Sequence, residues 1–271
     1  IHKTSAVITA AAGRLSTAAS MMGTLLKAEQ DTLTLRVDGG GPAGVILAVA
    51  DSEGNVKCSP QNSVVELPLN AKGKLDVGGA VGKDGALSVI RELGLKEPYI
   101  GQVPLVSGEI AEDVTEYYAV SEQTPTVCGL GVLVNPDLTV LAAGGFIVQL
   151  LPYADSAVID TLEANLRTLP PVSSMIRDGM TPEEIVNRVM EGLEPNILEE
   201  YHPEYRCNCS RERTEAVLRS LGRKELDAMI AEDHGAEVCC HFCNKTYAFT
   251  EAELAALRDS IPENGEDGEE A

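Results

Sequence analysis

Four cysteines in two close pairs are the residues of this sequence best suited to chemistry. Cys207 and Cys209 form a C-x-C pair, and after thirty intervening residues Cys240 and Cys243 form a C-x-x-C pair. Thiolates bind zinc tetrahedrally at about 2.3 Å, and a short spacer allows one turn of backbone to supply two ligands. Neighbouring thiols also form disulfides within a limited geometry. The pattern therefore predicts a metal site, a redox relay, or both.

Neighbouring residues offer other possible ligands. Cys239 lies beside Cys240, so either thiol is a candidate for the fourth ligand; we favour Cys240 because it preserves the C-x-x-C spacing. His241 and His234 are weaker candidates, since four cysteines already complete a tetrahedral set.

Two further cysteines lie far from this cluster in sequence. Cys128 falls in a predicted strand and Cys58 near the end of another. Cys128 has no basic neighbour in sequence that would stabilise a thiolate, and we predict that both are inert structural thiols.

The residues around the cysteine pairs predict a small module. One helix is capped by Ser210 and ended by Gly222, and a second is centred on Leu226. A strand over 244–249 and a helix with a capping box that starts at Thr250 follow. The module has few apolar residues, so metal binding is expected to supply much of its folding free energy, about 10–16 kcal/mol in comparable small domains.

A series of short amphipathic helices precedes the module. Asp155 is the predicted cap of the first, Pro170-Pro171 ends it, and Thr181 opens a capping box for the last. Helices of this length are unstable in water without a surface to pack on. Residues 154–204 are therefore predicted to be a linker that folds only while it is held against another surface.

The N-terminal part predicts a sheet packed by helices. A helix is expected over 3–27, and a turn at Asp38-Gly39-Gly40-Gly41-Pro42. A central hairpin around the Asn-Pro-Asp turn at 135–137 is expected to be buried on one face by the first helix. Strands are predicted at 31–37, 45–50, 64–69, 86–91, 99–106, 116–121, 127–134 and 138–151.

These patterns predict an α+β fold. A mainly antiparallel sheet core packed by helices spans 1–153, a helical linker spans 154–204, and a small zinc module with four cysteine ligands spans 205–260. The acidic tail, 261–271, is predicted to be disordered.

The composition is strongly acidic, with 42 acidic residues against 21 basic ones and a formal net charge of -21. Such a surface repels phosphates and anionic lipids, so we expect neither nucleic-acid nor membrane partners. No run of eighteen apolar residues and no secretory signal is visible, and the clustered cysteines fit a reducing compartment. A cytoplasmic protein is predicted.

Several short motifs, with the cysteine module, resemble the redox-regulated chaperone family heat-shock protein 33, also called 33 kDa chaperonin. The family has a further strand and loop before the first helix, so an N-terminal truncation is expected here, and Cys239 is an additional thiol. The motifs that carry the resemblance are Gly39-Gly40-Gly41-Pro42, Gly73-Lys74-Leu75-Asp76-Val77, Gly101-Gln102-Val103, Ser107-Gly108-Glu109, Ser121-Glu122-Gln123 and Ala143-Gly144-Gly145.

The resemblance implies a holdase that is not an enzyme and uses no ATP. In the reduced state Cys207, Cys209, Cys240 and Cys243 would hold one Zn²⁺ and keep the linker packed, so that the chaperone is inactive. On oxidation, Cys207-Cys209 and Cys240-Cys243 disulfides would form and zinc would leave. The released linker and sheet would then bind unfolding client proteins. The oxidised form would be a homodimer and the reduced form a monomer.

Two other function classes use paired cysteines. A thiol-disulfide oxidoreductase normally carries one C-x-x-C at a helix N-terminus, which two pairs around an insert do not match. A zinc-ribbon nucleic-acid binder would use the basic residues of the module, but acidic residues in 201–271 outnumber basic ones by sixteen to eight.

Overall fold

The structure, a computed structural model, describes residues 1–262. The chain divides into two compact units, the first over His2–Arg206 and the second beginning at Cys207. The predicted α+β class is confirmed, since every ladder between the strands of the described residues is antiparallel. The narrower domain boundaries drawn from the sequence stay predictions, and most of the predicted disordered tail, 263–271, lies outside the described residues.

The first unit contains seven strands and six helices among its described residues. In chain order they are α1 (Ala6–Gly23), β1 (Thr32–Gly40), β2 (Ile46–Asp51), β3 (Val56–Pro60), α2 (Val77–Val81), β4 (Gly82–Glu92), β5 (Tyr99–Pro104), α3 (Ala111–Val120), β6 (Thr126–Val134), β7 (Val140–Gln149), α4 (Ser156–Thr168), α5 (Val172–Arg177) and α6 (Pro182–Val189).

The second unit is smaller. Its elements are α7 (Arg211–Ser220), α8 (Arg223–Ala228) with a following turn of π-helix (Met229–Asp233), β8 (Gly235–Cys239), β9 (Thr246–Thr250) and α9 (Glu251–Asp259). Strands β8 and β9 pair as an antiparallel hairpin.

A five-stranded sheet, in the order β3-β2-β1-β4-β5, forms the centre of the first unit. In β1 the side chains of Leu33, Leu35 and Val37 are buried and alternate with half-buried ones, as expected for a strand with one face on a core. The central position of β1 fixes its register on both sides, with Leu35 opposite Ala48 of β2 and Val89 of β4.

Helix α1 packs between this sheet and the β6–β7 hairpin. Alanines make up much of the helix, and they favour helix formation while allowing close approach of strands. Ile8 and Leu15 are fully buried. The hairpin is confirmed, as is its burial by the first helix, but it is a separate two-stranded sheet rather than the centre of the main one.

The three linker helices form a second apolar cluster with the hairpin. Met175 of α5 is 3% exposed, and Phe146 and Val148 of β7 pack against the cluster that it forms with Leu162 and Ile185. Helix α5 lies directly on the hairpin, where glycines make room for it. A Cβ at residue 131 would lie 2.8 Å from the backbone nitrogen of Ser173.

Two predicted strands are wrong. Residues 116–120 belong to α3, where Val114, Tyr117 and Tyr118 are buried at helical spacing and the Asp113 carboxylate accepts the N–H of Ile110 at 2.9 Å. The aromatic and β-branched residues favour a strand locally, but burial at the period of a helix decides the structure.

The segment 64–69 is irregular. Pro68 has no N–H for a ladder, and Val64 and Leu69 are exposed. The predicted turn at residues 38–42 is also misplaced, because β1 continues to Gly40 with a shift of register beyond Asp38. The structure adds three elements that the sequence did not predict, α2, β3 and β8.

None of the helices in residues 1–262 combines the length and the apolar character needed to cross a membrane.

We expect Gly131→Ala to displace α5 from the hairpin, because the added methyl would meet the backbone of Ser173. Overpacking of this kind costs about 1–3 kcal/mol, so trypsin cleavage after Arg177 and Arg188 should be accelerated roughly five-fold or more. Limited proteolysis with mass spectrometry measures this. Val127→Ala, which shortens an exposed side chain on the same strand, is the control. Equal cleavage rates would contradict the packing described.

Candidate metal centre

The first cysteine pair lies in the loop that leads into α7. Cys207 and Cys209 are both half-buried, and Ser210 follows immediately as the cap of the helix. The Ser210 hydroxyl accepts the N–H of Arg213 at 3.2 Å. Because this bond fixes the start of α7, it also fixes the direction in which the chain presents the cysteine that precedes it.

The second pair lies in the turn between β8 and β9. The N–H of Cys240 donates to the carbonyl of Lys245 at 2.9 Å, and the N–H of Asn244 donates to the carbonyl of Cys240 at 2.8 Å. Asn244 has a φ of 59°, in the left-handed region that asparagine tolerates better than most residues. The tight turn holds Cys240 and Cys243 on one side of the hairpin end.

The structure brings all four predicted thiols together. The sulfurs of Cys207, Cys209, Cys240 and Cys243 all lie within 4.8 Å of one another. Cys207 Sγ is 3.6 Å from Cys240 Sγ, and Cys209 Sγ is 3.4 Å from Cys243 Sγ. A tetrahedral site with Zn–S distances of about 2.3 Å has S–S edges of about 3.8 Å. The donor set and its spacing therefore fit a metal ion that prefers four thiolates.

The other candidate ligands lie outside this cluster. Cys239 is exposed at the end of β8, and its Sγ is 4.0 Å from the carbonyl oxygen of Cys240. His234 Nδ1 lies 2.9 Å from a carboxylate oxygen of Glu251, and His241 is exposed. Within residues 1–262, the grouping of possible ligands contains cysteines alone.

Tyr247 contacts the cluster, a contact that the sequence analysis missed. Its hydroxyl donates to Cys209 Sγ at 3.2 Å. This hydrogen bond lowers the pKa of Cys209 to about 7 and raises that of Tyr247 to about 12. Buried and exposed residues alternate along β9, and this pattern places Tyr247 and Phe249 on the same face of the strand. The hydrogen-bond partner of the Tyr247 hydroxyl depends on how the two cysteine segments meet, so the sequence did not predict it.

Burial raises the pKa of two other thiols of the cluster, opposite to the change at Cys209. It raises the pKa of Cys243 to about 12, and it also raises that of Cys207. Four thiolates at these distances repel one another unless a cation neutralises them, so metal binding here must release protons.

A small apolar core supports the cluster within the second unit. Leu226 and Leu254 are fully buried, and Tyr247 and Phe249 contribute the buried face of β9. Arg211 lies over the ring of Phe249, with its guanidinium carbon 4.3 Å from the ring centre. Cys209 itself packs against this core, so the sulfur cluster and the core share a boundary.

Residues 1–250 match the sequence model of the family described as Hsp33 protein. The chain belongs to the Hsp33 family. A family relative named 33 kDa chaperonin, from Clostridium botulinum (strain Alaska E43 / Type E3), is 49% identical over 257 residues, which cover 95% of this chain and 87% of the relative. A 33 kDa chaperonin from Clostridium tetani (strain Massachusetts / E88) is 48% identical over 257 residues, with coverage of 95% and 87%.

A solved Hsp33 structure has the same fold. The crystal structure of 33 kDa chaperonin (heat shock protein 33 homolog) from Thermotoga maritima matches with a TM-score of 0.86 at 40% identity, and the match covers 95% of this chain and 87% of that one. The family resemblance stated from the sequence motifs is therefore confirmed, and the chain is a member of a chaperone family.

The neighbouring cysteines provide a matched pair of variants. We expect Cys240→Ser to weaken metal binding by about 100-fold or more, since one of four ligands shares a total of about 10–16 kcal/mol. Cys239→Ser should bind one metal ion like the unaltered chain, because its sulfur lies outside the cluster. Competition with a chromophoric chelator measures both affinities. Equal weakening by the two substitutions would contradict the ligand set.

Burial makes a second prediction about thiol reactivity. It raises the pKa of Cys58 to about 11 and that of Cys128 to about 12, so both stay protonated near neutral pH and form thiolates only as the pH rises towards those values. Chelation removes the metal on which the folding of the second unit is expected to depend, so its five cysteines become accessible whatever their pKa in the folded form. After chelation and reduction at about pH 8, iodoacetamide should therefore label these five and leave Cys58 and Cys128, with all seven labelled after denaturation. Intact mass gives the count. Labelling of Cys58 as fast as exposed Cys239 would contradict it.

Proposed function

We propose that this Hsp33 family member is an ATP-independent holdase that is inactive while its cysteine cluster is reduced and becomes active when the cluster is oxidised. The observation that carries the proposal is the group of four thiols within 4.8 Å of one another. In this proposal the protein acts in the cytoplasm, is not an enzyme, and protects unfolding client proteins from aggregation.

In the reduced state, Cys207, Cys209, Cys240 and Cys243 hold the metal. Bound Zn²⁺ would keep the four sulfurs as thiolates and join two segments that thirty residues separate. The hydroxyl of Tyr247 gives Cys209 a hydrogen bond to its sulfur, which stabilises the thiolate.

Oxidation removes these ligands in pairs. Two thiolates, one hydrogen peroxide molecule and two protons give one disulfide and two water molecules. The two sulfurs together pass two electrons to the peroxide as each disulfide forms. Hypochlorous acid acts in the same sense, since one thiolate takes its chlorine and the second displaces chloride. The proposed products are the Cys207-Cys209 and Cys240-Cys243 disulfides, which leave no thiolate for the metal.

The choice of disulfide partners decides whether the two cysteine segments stay joined after oxidation. The sulfurs of Cys207 and Cys240 lie 3.6 Å apart and those of Cys209 and Cys243 lie 3.4 Å apart, and disulfides between these partners would keep the two segments joined. Disulfides between near neighbours in sequence close only very short loops, so they remove little conformational freedom from the unfolded chain. Local pairing therefore removes the long-range constraint, and that is why oxidation would unfold the module.

The linker, 154–204, is the element that responds. Cys207 follows it almost directly along the chain, and helices α4 to α6 depend on one apolar cluster with the hairpin. Release of the linker would expose Met175, Ile176 and Val189 of its own helices. It would also expose Phe146 and Val148 of β7. Apolar surface of this kind binds unfolding chains and a second copy alike, so we propose a monomer when reduced and a homodimer when oxidised.

The geometry disfavours the two other function classes. The C-x-x-C pair lies in a turn between two strands, so no helix N-terminus lowers the pKa of either thiol as in a thiol-disulfide oxidoreductase. Several basic side chains of the second unit pair with acids, for example Arg211 with Glu253 and Arg258 with Asp227, which leaves less positive charge for phosphates.

Suppression of aggregation tests the proposal. The reduced, zinc-loaded full chain should leave the heat-induced light scattering of an unrelated protein nearly unchanged. After peroxide treatment under mild heat it should lower the scattering several-fold and release one equivalent of zinc. Peptide mapping should find the Cys207-Cys209 and Cys240-Cys243 disulfides. Cys239→Ser is the control and should behave like the unaltered chain. Zinc release without a gain in protection would contradict the switch.

A further inference from the structure

Strand β3 is one edge of the five-stranded sheet. Antiparallel pairing uses the backbone groups of alternate residues, so the residues between them direct their groups away from the neighbouring strand. Asn55 accepts at its carbonyl from Asp51 N, and Gln61 donates its N–H to the Val45 carbonyl, both towards the β2 side. By this alternation the backbone groups of Val56 and Cys58 point outward.

A segment just before the first cysteine pair covers these outward groups. The N–H of Val56 donates to the carbonyl of Glu204 at 2.9 Å, and the N–H of Arg206 donates to the carbonyl of Val56 at 3.0 Å. These two bonds form a parallel bridge between Val56 and Tyr205. Residues 204–206 thus pair with the edge through this single isolated bridge.

The side chain of Tyr205 covers the next outward-facing residue of β3, Cys58. Its hydroxyl accepts the N–H of Cys58 at 3.3 Å and donates to the carbonyl of Cys58 at 3.0 Å. Pro60, which has no N–H, ends the strand. One tripeptide therefore satisfies the outward N–H groups of both Val56 and Cys58.

A cavity of about 680 Å³ lies beside this covered edge within the first unit. Its lining is mainly apolar and includes Met21, Leu25, Val56 and Ile147, and part of its wall is formed by Tyr201 and Tyr205. Release of 204–206 would remove the part of the wall that Tyr205 forms and leave the apolar side chains of Met21, Leu25 and Ile147 beside the edge, where a bound peptide could place its own side chains.

We propose that the outward edge of β3 is a binding site for an extended, apolar segment of an unfolding protein, and that residues 204–206 occupy it as a substitute for such a segment. The inference rests on the proposed function, because release of 204–206 follows from loss of the constraint at Cys207. The present occupant is itself an extended peptide, held by two backbone hydrogen bonds at Val56 and by the Tyr205 hydroxyl at Cys58. Recognition of backbone suits clients of many sequences, and an uncovered strand edge is a template for pairing.

Amide exchange followed by NMR on the full-length chain tests this site at the level of single residues. In the reduced, zinc-loaded form the amides of Val56 and Cys58 should be protected. After oxidation their protection should fall at least tenfold, while Lys57, whose amide faces β2 by the same alternation, should keep its protection. Adding reduced and carboxymethylated lactalbumin, an unfolded chain without free thiols, should restore protection at Val56 and Cys58.

Two results would overturn the inference, and they are distinguishable. If the oxidised chain prevents aggregation and binds the carboxymethylated probe while Val56 and Cys58 stay unprotected, the edge is not the site and the proposed function stands. If oxidation gives neither protection from aggregation nor loss of exchange protection at Val56 and Cys58, the proposed function fails and the inference fails with it.

A pair of tyrosine variants tests the cover in the reduced protein. Tyr205→Phe removes the hydroxyl that bonds Cys58 and keeps the ring, so exchange at the Cys58 amide should accelerate several-fold. Tyr201→Phe is the matched control, because its hydroxyl donates to the exposed carboxylate of Glu199. Equal exchange at Cys58 in the two variants would show that Tyr205 does not cover the edge.

Discussion

The cluster of four sulfurs is the constraint on which the second unit of this protein depends. It joins segments that thirty residues separate, in a unit whose fully buried apolar side chains are few. Leu226 and Leu254 are the most deeply buried of them, and a core of this size leaves a domain of some fifty residues only marginally stable. In the proposed function, metal coordination would stabilise the unit where burial is insufficient, and it would do so through the thiolates that an oxidant attacks first.

The segment of the first unit that leads to Cys207 makes several small contacts of its own. Residues 204–206 lie on the edge of β3 immediately before Cys207, and the linker helices that precede them share one apolar cluster with the β6–β7 hairpin. Each of these contacts is small. None is fully independent of the others, since they follow one another in a single segment of chain. In the proposed function, loss of the anchor at Cys207 would therefore favour release of the whole segment, one contact after another.

The sequence predicted best what depends on neighbouring residues. The cysteine spacing and the caps at Asp155, Thr181 and Thr250 are local patterns, and the structure contains each cap. The errors concern tertiary context. Residues 116–120 favour a strand locally but are buried as a helix, and β3 escaped prediction because an edge strand can carry polar residues and a proline. Glycine-rich Asp38–Pro42 resembled a turn, yet Gly39 is needed for close approach of Gly82. The bond from Tyr247 to Cys209 depends on the assembled module and has no local signal.

In the proposed function, oxidation of the cluster loosens the linker instead of holding it more firmly. Hydrogen exchange with mass spectrometry on peptides from 156–193, in the full-length chain, tests it most directly. In the oxidised, metal-free protein with both local disulfides formed, these peptides should exchange nearly as fast as an unstructured chain, while peptides from Thr32–Gly40 keep the protection of the reduced form. Full protection of 156–193 after the metal has left and both disulfides have formed would contradict the account.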